Sequence, residues 1–211
     1  IFHGLQNMNS EDRVAVCSRS FSRNQELRSL LLSKYKNVTF NDQGLSLSDK
    51  TLIDFLKGHT KAIIALERIT DKILSNLEQL KVISKYGVGL DMIDMHALKS
   101  HDVRLGWEGG VNKRSVSELA LSLIINSLRH IKYANEEVLS NRWRQHIGSQ
   151  LTNKKVGIIG CGHVGKDLIK LLQPFECEIF VNDILDYPEF FKEYRITTLS
   201  LDDLLSVSDI V

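Results

Sequence analysis

Short apolar runs alternate with amphipathic segments along most of this 211-residue chain. The runs are rich in Val and Ile, which favours strands, and between them apolar residues recur at helical spacing. This alternation predicts an α/β fold with a parallel sheet and helices on both of its faces. Strands are predicted at 14–17, 38–40, 62–66, 80–84, 103–105, 156–159, 178–182 and 196–198, and helices at 24–35, 48–56, 71–77, 93–98, 115–131, 164–172, 189–194 and 201–207.

These elements fall into two successive groups, which predicts two domains. Residues 13–108 form the first, residues 109–211 form the second, and residues 1–12 are an N-terminal extension. The second group breaks off as a further strand opens at Asp209, so it holds one βαβαβ half of a doubly wound domain. We therefore expect the chain to be part of a longer protein.

A glycine-rich turn joins the strand at 156–159 to the next helix. Gly160, Gly162 and Gly165 have G-x-G-x-x-G spacing, and the following strand delivers Asp183 about twenty residues later. In such a turn the first glycine permits a tight bend, the second lets the backbone approach a pyrophosphate, and the third lets the helix pack closely. An Asp183 carboxylate can accept hydrogen bonds from an adenosine ribose and would repel a 2′-phosphate. The pattern predicts a site for NAD rather than NADP, and a bare structural turn is the alternative.

Charge and composition argue against several classes of partner. The 27 basic and 26 acidic residues give a formal net charge of +1, so neither a nucleic-acid nor a membrane partner is expected. No apolar run has the length of a membrane span, and the seven histidines lack metal-ligand spacing. Three cysteines without C-x-x-C spacing indicate free thiols in a reducing compartment. We expect a cytoplasmic protein without a metal site.

A second pair of glycines follows the strand at 80–84. Gly87 and Gly89 fall at the sheet edge where open α/β folds bind ligands. The backbone of residues 87–89 could present amide groups to a carboxylate or approach a cofactor ring. A plain strand-to-helix turn explains the same residues equally well, so the pattern leaves both interpretations open.

The segment after Asn112 predicts a helix with an unusually wide apolar surface. Ser115 and Glu118 match a capping box, which places the start of the helix at Ser115. A helix of this kind is buried between domains or against another subunit. Its apolar positions are Val116, Leu119, Ala120, Leu121, Leu123, Ile124, Ile125, Leu128 and Ile131.

Three stretches resemble the D-2-hydroxyacid dehydrogenase family: residues 85–91, 111–120 and 151–165, with Asp183 beyond. The run Asn-x-Arg-Ser-Val-x-Glu-Leu from Asn112 is most similar to the D-3-phosphoglycerate dehydrogenase branch. The resemblance implies an NAD-dependent enzyme with a flavodoxin-like substrate domain and a Rossmann NAD-binding domain. It also implies a homodimer formed through the helix from Ser115.

The resemblance further implies roles for individual residues. The Val88–Gly89 backbone would face the substrate carboxylate, with Val88 also near the nicotinamide, and Asn112 would line the cleft. Phosphoglycerate-specific members carry an Arg-Ser pair at the position of residues 64–65, so either Arg68 reaches the phosphate or the substrate lacks one. The implied cofactor-binding residues are Gly160, Gly162, His163, Val164, Gly165, Asp183 and Val88.

Two further expectations follow from the family pattern. Family members usually carry Arg where His163 stands, so His163→Arg should tighten NAD binding. Their catalytic Arg, Glu and His lie beyond the equivalent of Val211, so no catalytic residue is assigned within this chain, and these 211 residues alone are expected to be inactive.

The leading hypothesis is therefore an NAD-dependent oxidoreductase acting on a small D-2-hydroxy acid, with D-3-phosphoglycerate the favoured candidate. One alternative is a non-catalytic, NAD-sensing dimeric regulator of the same fold. Another is the inactive product of a decayed gene. An Arg, Glu and His in family spacing would separate the enzyme from the regulator.

Overall fold

The structure is a computed structural model that describes residues 12–211. The predicted N-terminal extension therefore lies outside the described residues, except for Asp12. The chain divides between Gly109 and Gly110 into two compact units.

The first unit contains a five-stranded, entirely parallel sheet in the order β2-β1-β3-β4-β5. This order is that of flavodoxin-like folds, which confirms the predicted fold class. The strands are β1 (Arg13–Val16), β2 (Asn37–Phe40), β3 (Lys61–Ile64), β4 (Val82–Lys85) and β5 (Arg104–Gly106), and the helices are α1 (Arg19–Arg23), α2 (Gln25–Leu32), α3 (Asp49–Leu56), α4 (Asp71–Leu74) and α5 (Met95–Ser100).

Strand β1 shows how this sheet is covered on both faces. Val14 and Val16 belong to one apolar cluster, whereas Ala15 and Cys17 belong to another. Successive side chains of a strand point to opposite faces, so the two clusters lie on the two sides of the sheet. The continuous apolar run is therefore the pattern of a parallel strand buried on both faces.

The second unit contains a three-stranded parallel sheet in the order β6-β7-β8. On the free side of β6, Ile210 forms a parallel bridge with Val156, and the Gly157 amide donates to the Ile210 carbonyl at 2.8 Å. This is one half of a Rossmann sheet with its next strand beginning. The strands are β6 (Lys155–Ile159), β7 (Glu178–Asn182) and β8 (Thr197–Thr198), and the helices are α6 (Lys113–Leu128), α7 (Ile131–Leu139), α8 (His163–Leu172), a 3₁₀ helix (Gln173–Phe175), α9 (Pro188–Tyr194) and α10 (Leu201–Val207).

The predicted capping box at the start of α6 is wrong. The helix begins at Lys113, two residues earlier than predicted, and Asn112 occupies the N-cap position. Its hydrogen-bond ladder already starts with the Val116 amide donating to the Asn112 carbonyl at 3.1 Å. Ser115 and Glu118 therefore lie inside the helix, where backbone partners replace the cap.

Residues 12–211 contain neither a membrane-spanning helix nor a cluster of metal-ligating side chains. None of the helices in this part of the chain is long and apolar enough to cross a membrane. No group of three or more His, Cys, Asp or Glu side chains there is arranged to hold a metal ion.

Candidate functional site

The turn after β6 depends on Gly160, whose backbone conformation only glycine adopts easily. The middle of β6 is buried, and at Gly160 the chain leaves the strand with φ +95°. Residues with a β-carbon rarely adopt this conformation, because the side chain is strained there. The backbone therefore bends sharply and enters α8 through its N-cap, Gly162.

The turn is open on one side and closed on the other. A β-carbon at Gly160 or Gly162 would meet no atom within 4 Å, so no side chain fills the space above the loop. A β-carbon at Gly165 would instead lie 2.2 Å from the Gly160 carbonyl oxygen. Helix α8 thus packs directly on the end of the strand, and Cys161 turns its side chain into the core. The open side is a space that a ligand backbone can enter.

Asp183 follows β7 and directs its carboxylate at this turn. One carboxylate oxygen accepts a hydrogen bond from the Cys161 amide, and the other accepts from the Leu185 amide at 2.8 Å. The Leu185 amide, followed by the Cys161 amide, lowers the pKa of Asp183 from its ordinary value. The group is therefore ionised at neutral pH, and a carboxylate retains acceptor capacity for further hydroxyl donors.

His163 is the first residue of α8 and stands beside the same turn. Its exposed ring lies against Gly110, where a β-carbon would come 2.5 Å from the ring Cγ. Gly110 has φ +72°, so the chain entering α6 is shaped to admit the ring. Asn112, two residues later, caps α6 without a side-chain hydrogen bond. Val164 follows His163 and is half-buried.

A buried polar link fixes α8 against α6. The Asp167 carboxylate, 6% exposed, accepts hydrogen bonds from the hydroxyl of the fully buried Ser117 and, at 3.1 Å, from the Arg114 guanidinium. A buried carboxylate must be paired in this way to be tolerated. Sequence reasoning missed this contact, although a charge on the apolar face of α8 was a visible signal.

In the first unit, the residues after β4 expose backbone donors. The Trp107 indole donates to the Val88 carbonyl at 2.9 Å, and Gly87 has φ +138°. Because the peptide group is planar and trans, fixing the Val88 carbonyl turns the Gly89 amide the opposite way. Within residues 12–211, the amides of Val88 and Gly89 donate no hydrogen bond, so both are available to an acceptor.

Arg68 lies at the same sheet edge, in the loop after β3. The Glu67 carboxylate accepts from the Ala65 amide at 2.6 Å, and the Lys85 ammonium donates to the Ala65 carbonyl. These bonds hold the beginning of the loop rigidly, whereas Arg68 is exposed beyond it.

Two family models cover the chain. Residues 14–156 match the D-isomer specific 2-hydroxyacid dehydrogenase catalytic domain, and residues 121–211 match the NAD binding domain of the same family. These matches confirm the resemblance seen in the sequence and the prediction of NAD as cofactor.

Individual relatives agree with the family models. The chain is 31% identical over 172 residues to the glyoxylate/hydroxypyruvate reductase HPR3 of Arabidopsis thaliana, which covers 72% of this chain and 53% of that protein. It is 27% identical over 146 residues to the D-3-phosphoglycerate dehydrogenase of Bacillus subtilis, which covers 68% of this chain and 28% of that protein. The chain thus spans about half the length of the first relative and less of the second.

The fold is shared with solved structures. A D-lactate dehydrogenase from Aquifex aeolicus, complexed with NAD and lactic acid, superposes with a TM-score of 0.78 at 21% identity. The match covers 94% of this chain and 59% of that one. Because the catalytic-domain model matches more than half of its residues, the chain belongs to the D-isomer specific 2-hydroxyacid dehydrogenase family.

Proposed function

We propose that the protein containing this chain is an NAD-dependent oxidoreductase that transfers a hydride between nicotinamide and a small D-2-hydroxy acid. The observation that carries the proposal is the open glycine turn with the Asp183 carboxylate directed at it. Space above the backbone, a helix N-terminus and an ionised acceptor are the three features that a dinucleotide requires. NAD would supply the hydride acceptor when bound.

The residues of the turn would bind and orient the dinucleotide. Gly160 and Gly162 leave room for the pyrophosphate, and the α8 N-terminus, from His163 and Val164, offers it amide donors. Asp183 would accept from the adenosine ribose hydroxyls. Its charge would repel a 2′-phosphate, which favours NAD over NADP.

The residues of the first unit would bind the substrate. The free amides of Val88 and Gly89 suit a carboxylate, and Val88 would also adjoin the nicotinamide. Arg68 and, from the second unit, Asn112 remain proposed substrate contacts. The motif at Asn112 favours D-3-phosphoglycerate, although a glyoxylate/hydroxypyruvate reductase is also among the relatives. We place the protein in the cytoplasm because its cysteines, Cys17, Cys161 and Cys177, are free thiols.

A homodimer through α6 is part of the proposal. One side of α6 packs on the core of the second unit, whereas Leu119 and Leu123 on the other side are 59% and 60% exposed. Exposed leucines one turn apart on a long helix suit an interface with a second copy of the chain.

Calorimetric titration with NAD and NADP tests the proposed cofactor site. We expect saturable NAD binding and weaker NADP binding, with NAD affinity falling at least about tenfold in Asp183→Ala because charge-assisted hydrogen bonds to the ribose are lost. Asp186→Ala, an exposed carboxylate three residues along, is the matched control. Equal NAD affinity in the two variants would refute the assignment. NADH formation from D-2-hydroxy acids by the protein that contains this chain then separates an enzyme from an NAD-sensing regulator.

A further inference from the structure

A polar depression lies at the carboxyl edge of the first unit's sheet. It has a volume of about 470 Å³. It is lined by Arg19 and Arg23 of α1, by Glu67 in the loop after β3 and by Tyr86 after β4. Strands β1 and β3 are neighbours at the point where the strand order of the sheet reverses. Open α/β sheets bind ligands in the crevice outside such a switch point. We call this depression the switch-point pocket.

The charges around the switch-point pocket favour an anion. Arg19 and Arg23 are exposed, and within residues 12–211 neither forms an ion pair. Glu67 is the opposing charge, but it is 9% exposed and its carboxylate is engaged by the Ala65 amide. The Lys85 ammonium, a further positive charge beside the pocket, donates a hydrogen bond to the Ala65 carbonyl. Arginine guanidinium groups suit phosphate and carboxylate oxygens in particular.

Helix α1, which carries both arginines, is held in place. The Ser18 hydroxyl caps α1 by accepting from the Phe21 amide at 3.2 Å, and the Phe21 ring packs edge-on against Tyr86 with centroids 5.3 Å apart. The Arg23 guanidinium lies over Gly44, where a β-carbon would come 3.0 Å from it. The backbone that carries both arginines is therefore fixed before a ligand binds, which reduces the entropy lost on binding.

Tyr86 connects the switch-point pocket to the proposed carboxylate site. It lines the pocket and begins the turn that presents the Val88 and Gly89 amides. Three residue steps separate Tyr86 from Gly89, so the two residues lie at most about 11 Å apart. The switch-point pocket and the proposed carboxylate site therefore adjoin each other at the same edge of the sheet.

We propose that the switch-point pocket binds a second anionic group at the far end of the substrate, a phosphate or a carboxylate, through Arg19 and Arg23. The substrate is then a dianionic 2-hydroxy acid rather than a simple one. This inference rests on the proposed function and specifies its substrate class. It assigns the far anion to helix α1, whereas the sequence pattern pointed to Arg68, which does not line the pocket.

Matched ligands test the proposal on the NAD-saturated chain. D-glycerate and 3-phospho-D-glycerate differ only in the phosphate, and D-malate carries a far carboxylate. We expect 3-phosphoglycerate or D-malate to bind roughly tenfold more tightly than D-glycerate in NMR or calorimetric titrations, as befits charge-assisted bonds. Comparison of the two arms tells a phosphate from a carboxylate.

Three variants locate the effect. Arg19→Gln and Arg23→Gln should each reduce the preference for the dianionic acid by about threefold to tenfold while leaving NAD affinity and melting temperature unchanged. Arg104→Gln, at the amino-terminal end of the edge strand β5 and outside the pocket, is the control for general charge.

Several results would overturn the inference. They are equal binding of the three acids, an unchanged preference in both pocket variants, or a loss confined to Arg68→Gln. Absent NAD binding would instead reject the proposed cofactor site, because the preference among the acids is measured separately and can be repeated without NAD.

Discussion

Alanine substitutions at two glycines of the same turn, Gly162 and Gly165, should have different effects: one on NAD binding and the other on stability. Gly162→Ala adds a methyl group that meets no protein atom within 4 Å at φ −74°, so folding should tolerate it. Gly165→Ala adds the same group 2.2 Å from the Gly160 carbonyl oxygen. The first methyl enters the space proposed for the pyrophosphate, and the second enters the joint between helix and strand.

The magnitudes follow from these contacts. A carbon normally approaches a carbonyl oxygen to about 3.3–3.6 Å, so Gly165→Ala forces a shift of about 1 Å. Overpacking costs about 1–3 kcal/mol, and better helix propensity returns up to about 1 kcal/mol. For Gly162→Ala, the loss of a preferred N-cap residue and the reduced freedom of the unfolded chain are each under about 1 kcal/mol and opposite in sign.

Thermal melting and NAD calorimetry separate the two effects. Gly165→Ala should lower the melting temperature by several degrees, since 1 kcal/mol shifts a chain of this size by about 2–4 °C. Gly162→Ala should melt as wild type but bind NAD at least about tenfold more weakly. Wild-type NAD affinity in Gly162→Ala would refute the view that the pyrophosphate lies above the turn.

Further predictions concern the supports of this site. Asp167→Ala should destabilise the second unit by about 1–3 kcal/mol, because buried hydrogen bonds to Ser117 and Arg114 are lost. Arg114→Gln should destabilise it less, since the Arg114 side chain is half exposed. Equal losses of unfolding free energy for the two variants in urea would contradict this. Because the pKa of Asp183 is lowered in the folded state, its stabilisation is full above the ordinary value of 3.8 and is lost as pH falls through the lowered value. Asp183→Asn should therefore flatten the acid limb of stability, and an unchanged limb would argue against its bonds. Leu123→Lys should shift light scattering from dimer to monomer, and an unaltered mass would exclude that face.

Local patterns predicted the elements whose signals are themselves local. Helix α10 has the predicted bounds, because Ser200 caps it by accepting from the Asp203 amide. The glycine turn and Asp183 were also predicted, since their spacing is set by one strand, one helix and the next strand.

The elements that sequence reasoning missed depend on long-range partners or lack an apolar face. Helix α7 buries none of its residues, so periodicity gave it no signal. The true start of α6 and the pairing of Ser117 with Asp167 depend on how α6 meets α8, fifty residues apart. The bond from Trp107 to the Val88 carbonyl joins residues on neighbouring loops of the folded sheet, which no local pattern shows.

Amide chemical-shift mapping can show directly whether NAD lies over the glycine turn and reaches Asp183. Backbone resonances of the chain would be recorded during a titration with NAD. We expect saturable shifts that are largest at residues 160–164 and 183–185, with much smaller shifts for NADP. Absent shifts in those two segments, or maximal shifts elsewhere in the second unit, would contradict it.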